Sequence, residues 1–478
     1  MSGTGFQNRY KWRGWRALMM LTVLLPMLLP ALAQSQSVSF EQAWQLLEEN
    51  SPVVTGDRAA AVRARAEVDE AAARRWPELS VDARATRMNA PLELSLDPVH
   101  RLLRGLGLDV PPDVMPVSWE LQRRQFYNLG LNAVWPLYAG GKIRAGVAAA
   151  DAALDAAQAD ASAGLADLRL TLFERYFAQA LAEQALEVHE QARASLEQHH
   201  ADAVLMQEEG QVARAEVLRA AVALAEAERD VHTARLDLQL AREALAVLLG
   251  TSGPLRVDTQ MPPLVPAPET DWMKSVAESE NPRLASARAQ RQRAEAGWKA
   301  ARAERLPTVA AFARHELYTR DLTLLDPDWA VGVSVSMPLF DGARRRSAES
   351  AALARLDEAD ARIEAGERDI GLLVEQALQK YHGARARFES FSATGELAAE
   401  SLRAQQLSFS EGFSTSRDVV DARLALSRVE LGMLAARFEA LLALATAWQA
   451  SGHSEAILEL ASGRNPADVG SHGWGDLP

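Results

Sequence analysis

The sequence predicts a mainly α-helical chain with a small β part, built as two tandem repeats of long coiled-coil helical hairpins that share four strands. Three observations predict it. Two halves of the chain repeat at a nearly constant offset, two long proline-free stretches are rich in good helix formers, and four short segments alternate apolar residues with small or polar ones.

The duplication is read from paired landmarks. Glu209-Gly210 followed by Glu216-Val217 lies 202 positions before Glu411-Gly412 followed by Asp418-Val419, and the same offset relates Pro136-Leu137-Tyr138-Ala139-Gly140 to Pro338-Leu339-Phe340-Asp341-Gly342. Upstream, Asn50-Ser51-Pro52 and Arg75-Trp76-Pro77 match Asn281-Pro282 and Arg305-Leu306-Pro307 at an offset of 230, so the first half carries about 28 extra residues between Pro77 and Pro136. The expected organisation is a leader over 1–33, repeat 1 over 34–253, a linker over 254–268, repeat 2 over 269–451 and a flexible tail over 452–478.

The leader comes first. Arg9, Lys11, Arg13 and Arg16 precede a nearly unbroken apolar run, Ala17 to Leu32, and Ala31-Leu32-Ala33 offers the small residues of a secretory cleavage site, which places the mature start at Gln34. The apolar run, about 16 residues broken by Pro26 and Pro30, is shorter than the roughly 20 needed to span a bilayer. Removing its four basic residues takes the net charge from -13 to -17, which disfavours a nucleic-acid partner. The absence of cysteine excludes disulfides, thiolate metal sites, a cysteine nucleophile and a lipid-modified N-terminal cysteine.

Each repeat opens on a helix of about 35 residues, over 39–74 and 271–304, the first with a capping-box signature in Ser39 and Gln42. No proline falls between Pro136 and Pro254 or between Pro338 and Pro466. With Gly210 and Gly412 as turn points, these stretches give long helices over 142–208 and 344–410, each about 100 Å at 1.5 Å per residue, followed by shorter ones over 213–249 and 416–450. Leu165, Leu168, Leu172 and Tyr176 recur at helical spacing, with alanines at many other inward positions. On periodicity alone a soluble coiled coil is the preferred reading.

The strands change that preference. Trp329, Val331, Val333, Val335 and Met337 alternate with Ala330, Gly332, Ser334 and Ser336, and Tyr127, Leu129, Leu131, Ala133 and Trp135 repeat the pattern. Weaker versions begin at Val81 and Val309, giving strands over about 79–88, 126–136, 308–318 and 328–338. Nine to eleven alternating residues with aromatics near the ends suit a tilted membrane barrel, with Trp76, Trp135, Trp329 and Phe340 at its interfaces. Four strands cannot close a channel, so the chain must oligomerise or pack its sheet on helices. The prolines of Met88 to Glu120 mark that segment as a long outer loop, with Leu317 to Asp328 as its shorter counterpart.

Two copies of helix, strand, strand, very long helix and helix behind a leader resemble the TolC family of outer-membrane efflux and secretion channels. The resemblance covers the chain to about residue 451. It is carried by the paired Arg-x-Pro turns, the strand exits at Pro136 and Pro338, and the hairpin Glu411-Gly412-Phe413-Ser414-Thr415-Ser416-Arg417-Asp418-Val419-Val420-Asp421. It implies a homotrimer with one twelve-stranded barrel in the outer membrane of a Gram-negative bacterium, continued into the periplasm by a helical tunnel. Such a duct is passive. It serves a tripartite efflux pump or type I secretion system, with a periplasmic adaptor, an inner-membrane exporter of RND, ABC or MFS type, and outer-membrane lipid as partners.

By the same resemblance, Asp418 and Asp421 match two aspartates that line the constricted periplasmic mouth, and Glu216 is the first-repeat counterpart of Asp418. Three-residue spacing puts both aspartates on one helix face, where threefold symmetry brings six carboxylates around a narrow axis that attracts cations. Their plainer role is to complement the helix dipole. The family latches its mouth with an arginine after the turn glycine and an aromatic before it; this sequence has Ser414 where that arginine would fall and Phe409 where a tyrosine is often found, so its latch must differ. Gly210, Gln211 and Val212, with Gly412, Phe413 and Ser414, form the hairpin tips that the resemblance assigns to adaptor contact.

Catalysis finds little support. His189, His199 and His200 lack the spacing of metal ligands and are read as surface residues; no phosphate loop or nucleophile elbow is present, and no cofactor is implied. The rival from another class is a soluble periplasmic coiled-coil adaptor or scaffold, which needs the helices but no lipid-facing strands.

Overall fold

The structure is a computed structural model that describes residues 37–466 except 109, 112, 116, 117, 252, 254 and 319–326. The leader with its cleavage point Ala33/Gln34, most of the short outer loop and the end of the tail lie outside the described residues. The chain runs β1 (Ser37–Val38), α1 (Phe40–Asn50), α2 (Pro52–Ala73), β2 (Glu78–Arg87), β3 (Leu92–Ser95), α3 (Asp97–Gly105), β4 (Ser118–Gln122), β5 (Gln125–Tyr138), α4 (Lys142–Glu208) and α5 (Arg214–Leu249). It continues through β6 (Arg256–Val257), α6 (Thr270–Glu280), α7 (Pro282–Ala303), β7 (Thr308–Glu316), β8 (Trp329–Ser336), α8 (Arg344–Ser410), α9 (Ser416–Ala450) and α10 (Ala456–Ala461).

The two long helices, α4 and α8, have 67 residues each. The short helices flank them in tandem. In the first half of α4, Leu154 packs on Ala64 and Val68 of α2, while farther along Arg242 and Arg235 of α5 reach Glu183 and Glu190 of α4. Likewise Arg291 and Arg288 of α7 meet Asp360 and Glu367 early in α8, and Arg387 late in α8 meets Glu439 of α9. These pairs, exposed except for the half-buried Arg242–Glu183, set alignment more than stability.

The opening helix of each repeat is broken rather than continuous. Ser51 and Asn281, each before a proline, are held in extended backbone, and each caps a new helix: Val54 N–H donates to Ser51 Oγ at 3.5 Å, and Arg283 N–H to Asn281 Oδ1 at 2.8 Å. Proline disfavours helical backbone in the residue before it and lacks the N–H that a first helical position does not need. Upstream, the Ser39–Gln42 capping box forms as read from the sequence.

The main core lies where α1, α6, α10 and the linker wrap the middle of α4 and α8. Phe40, Phe173, Tyr176 and Phe177 form an aromatic nest in which ring centroids are 4.7–5.9 Å apart. Positions 179 and 381, equivalent under the 202-residue repeat, both tie down the linker: Gln179 Nε2 donates to the Leu255 carbonyl, and the Tyr381 hydroxyl to that of Val265. Burial pushes the Tyr176 and Tyr381 hydroxyls above the usual tyrosine range.

Residues 452–466, expected as part of a flexible tail, instead fold back onto this core. Ile457 and Leu460 of α10 are fully buried. The corner is made by Gly452, whose φ of 88° closes α9 while the Glu280 carbonyl oxygen lies 2.6 Å from where a Cβ would stand. Gly452→Ala is therefore expected to destabilise the protein by about 1–3 kcal/mol from the left-handed backbone alone. The check is a lowered thermal midpoint in detergent.

Strands β2, β5, β7 and β8 form one antiparallel sheet in that order, β2 and β8 being its edges. The register lines up Leu79, Ala133, Ala313 and Val331 on one face and Ser80, Asn132, Arg314 and Ala330 on the other. The apolar face is open: Leu79, Val81, Val331, Val333 and Val335 are each more than 60% exposed. Among the described residues of the long segment between β2 and β5, β3 and β4 form a second hairpin, with the short helix α3 between them.

Candidate functional site at the hairpin tips

Both tips end their long helix in the same way. Gly210 (φ 79°) and Gly412 (φ 75°) take left-handed backbone. Gln211 N–H then donates to the Met206 carbonyl and Phe413 N–H to that of Ser408, each at 2.8 Å. This is the Schellman closure, and it needs a glycine for its positive φ. Ser414 Oγ donates to the Gln405 carbonyl at 3.2 Å, so the residue standing where the resembled family has an arginine seals α8 instead. Phe413 is 86% exposed at the apex of the second tip, and Gln211 is exposed at the first, with Val212 packed inward.

The sequence-predicted acids separate into two groups. Asp418 and Asp421 are both exposed on α9. Asp418 accepts from the backbone N–H of Thr415 at 2.8 Å and from its hydroxyl at 2.6 Å; those two donors hold its carboxyl below the usual carboxylate range. Asp421 pairs with Arg417 at 3.3 Å. Glu216 is partly buried and accepts from the Ser416 N–H at 2.9 Å, so the start of α5 caps the start of α9.

One residue corrects the sequence reading. His199, read as a surface histidine, is buried at 4% exposure between the two hairpins. Its Nε2 lies 2.7 Å from Ser416 Oγ and its ring stands edge-on to Phe409 at 4.6 Å. Burial lowers its pKa; the carboxylates of Asp202 and Glu216 act against that shift, and His200 adds to it. Around this joint Ala203, Ala220, Leu402, Val419, Ala422 and Leu426 form a local core. No signal within the α4 segment could have found the joint, because every partner of His199 beyond its own helix comes from the other hairpin or from α5.

No group of three or more His, Cys, Asp or Glu able to hold a metal ion occurs among the described residues.

The family model described as outer membrane efflux protein matches residues 43–251 and 274–453. A curated relative, the cobalt-zinc-cadmium resistance protein CzcC of Cupriavidus metallidurans, is 26% identical over 317 residues, covering 64% of this chain and 73% of the relative. The fold is shared with the outer membrane channel MtrE of Neisseria gonorrhoeae in its open state, at a TM-score of 0.70 and 20% identity over 87% of this chain and 89% of that one. The outer membrane protein VceC of Vibrio cholerae superposes with a TM-score of 0.69 and 20% identity, over 86% of this chain and 96% of that one.

Proposed function

Because the chain belongs to the outer membrane efflux protein family, and is an outer-membrane efflux channel, we propose that three copies assemble into one closed duct with an acidic periplasmic mouth. The observation that carries the assembly is the four-stranded sheet, which has two free edges and an apolar face turned to the surroundings. An exposed apolar sheet with open edges is an aggregation hazard in water, and three such sheets joined edge to edge in lipid remove both problems. A soluble adaptor has no use for such a sheet.

The tips at Gly210–Val212 and Gly412–Ser414 then form the end that meets a periplasmic adaptor, with Phe413 as its apolar anchor. An inner-membrane exporter supplies the energy. The relative CzcC is a cobalt-zinc-cadmium resistance protein, and we extend divalent metal cations to this chain as cargo, in keeping with its acidity. Asp418 and Asp421 project their charge from one face of α9 toward the mouth, while Glu216 acts there indirectly by fixing where α9 begins.

The test is planar-bilayer conductance of the purified protein beside its mass in detergent. The expected mass is about three times that of one chain, with a small cation-selective conductance. The double variant Asp418→Asn, Asp421→Asn keeps an acceptor for the Thr415 N–H but removes the charge, and is expected to reduce cation preference several-fold. Unchanged selectivity would remove the acidic mouth and keep the duct; a soluble monomer without channels would remove both.

A further inference from the structure

On the polar face of the sheet the register places three residues from adjacent strands in one row: Asp82 of β2, Gly130 of β5 and Glu316 of β7. The central glycine has no side chain, and both carboxylates lean over it. Asp82 Oδ2 lies 3.3 Å, and both oxygens of Glu316 3.5 Å, from the point where a Gly130 Cβ would stand. Two like charges thus converge on one spot above bare backbone.

Their remaining bonds do not explain the convergence. Asn132 donates to Asp82 Oδ1, leaving Oδ2 facing the glycine. Arg314 directs both Nε and Nη2 at Glu316 Oε1. Glu316 Oε2 has no hydrogen-bond donor among the described residues, although Glu316 is only 4% exposed. Leaving a buried carboxylate oxygen without a donor forfeits its solvation with nothing in return. Asp82 beside it adds a second carboxylate to the row, and Arg314 is ion-paired to Glu316 alone of the two.

We propose that Asp82 and Glu316 hold a hydrated divalent cation over Gly130 in the wall of the barrel. Two carboxylate oxygens with no nitrogen or sulfur donor suit a hard cation that completes its shell with water. The site is complete within one chain, since β2, β5 and β7 are neighbours in one sheet. Three chains carry three sites, at a level of the duct remote from the tips. The inference rests on the duct reading only for the direction the row faces. Binding requires nothing beyond the three strands.

Calcium titrated into the purified full-length protein in detergent, followed by calorimetry, tests it. A site with two protein carboxylates is expected to bind with a dissociation constant on the order of 10⁻⁴–10⁻³ M. Glu316→Gln and Asp82→Asn are each expected to weaken binding at least tenfold. Gly130→Ala keeps every charge but fills the space between the carboxylates, and is expected to weaken binding to a similar degree. Oligomer mass and calcium-free thermal midpoint establish that each variant is folded, so that failure of the assembly is seen separately from failure of the site. Absence of wild-type binding at millimolar calcium would overturn the proposal. So would a Gly130→Ala variant that binds like the wild type, since diffuse negative charge would then account for any loss in the other two.

Discussion

Phe173→Ala is expected to destabilise the protein by about 3–5 kcal/mol, the range for emptying an aromatic site in a core that cannot collapse around the gap. Phe173 is completely buried, with its ring 5.9 Å from Phe40 and 4.7 Å from Phe177. The surrounding core joins α1, α4, α6, α8, α9, α10 and the linker, so elements from both repeats lose support together. Beside it the Tyr176 hydroxyl donates to the Val38 carbonyl at 2.7 Å and accepts from Thr259 N–H at 3.1 Å, pinning the short β1–β6 pair. The cavity would therefore loosen a place where both the N-terminal segment and the linker are fixed to a long helix. Chemical unfolding in detergent, followed by circular dichroism, measures the effect. Phe173→Leu, which retains most of the volume, is expected to lose less than half as much. A loss below about 1 kcal/mol for the alanine variant would mean that this middle region does not carry the fold.

Much of this architecture could be read from the residues because its signals are local or repeated. Proline punctuation and the glycines at 210 and 412 delimit the two long helices, whose observed spans of 142–208 and 344–410 are the expected ones. Alternation marks all four strands of the main sheet, since one face meets an apolar surrounding and the other does not. What escaped reading depended on tertiary partners or on signals diluted by composition. The breaks at Ser51 and Asn281 were visible as prolines, yet good helix formers on both sides favoured continuity. In the Gly-rich tail the short run Ala-Ile-Leu-Glu-Leu-Ala was hidden, and only the core it covers gives it a helix. The outer loop's helix α3 was announced by Asp97-Pro98, a start signal outweighed by the density of prolines around it. At the candidate site, the positions of Asp418 and Asp421 on one face of α9 followed from spacing alone. The partner of Glu216 did not, because a carboxylate at a helix start is ordinarily satisfied by its own helix.

Protonating His199 is expected to weaken the joint between the hairpins, and the sign follows from its burial. Its folded-state pKa is lowered below the ordinary histidine value, so between the two values the unfolded chain binds more protons than the folded one. The stability that the neutral ring contributes is thus fully present above pH about 6.5 and is lost progressively as pH falls below it, down to the folded-state pKa. Asp202 and Glu216 limit the loss, while His200 and the positive end of the α9 helix dipole enlarge it. What loosens is specific: Ser416, bonded through its hydroxyl to His199 and through its N–H to Glu216, is the first residue of α9, and Asp418 and Asp421 follow it directly. The His199–Phe409–Ser416 contact therefore connects protonation to the place where the acidic residues are held, through Phe409 at the position of the resembled family's latch aromatic. Removing the ring altogether, in His199→Ala, is expected to cost about 1–3 kcal/mol by leaving the buried Ser416 hydroxyl without its partner. His199→Gln keeps a hydrogen-bonding group but cannot titrate, so the fall in unfolding midpoint between pH about 7.5 and about 5.5 should be smaller than in the wild type. Conductance over the same range is expected to rise on acidification in the wild type and to change less in this variant. Identical pH profiles for the two proteins would show that the joint stays closed whatever the charge on the ring.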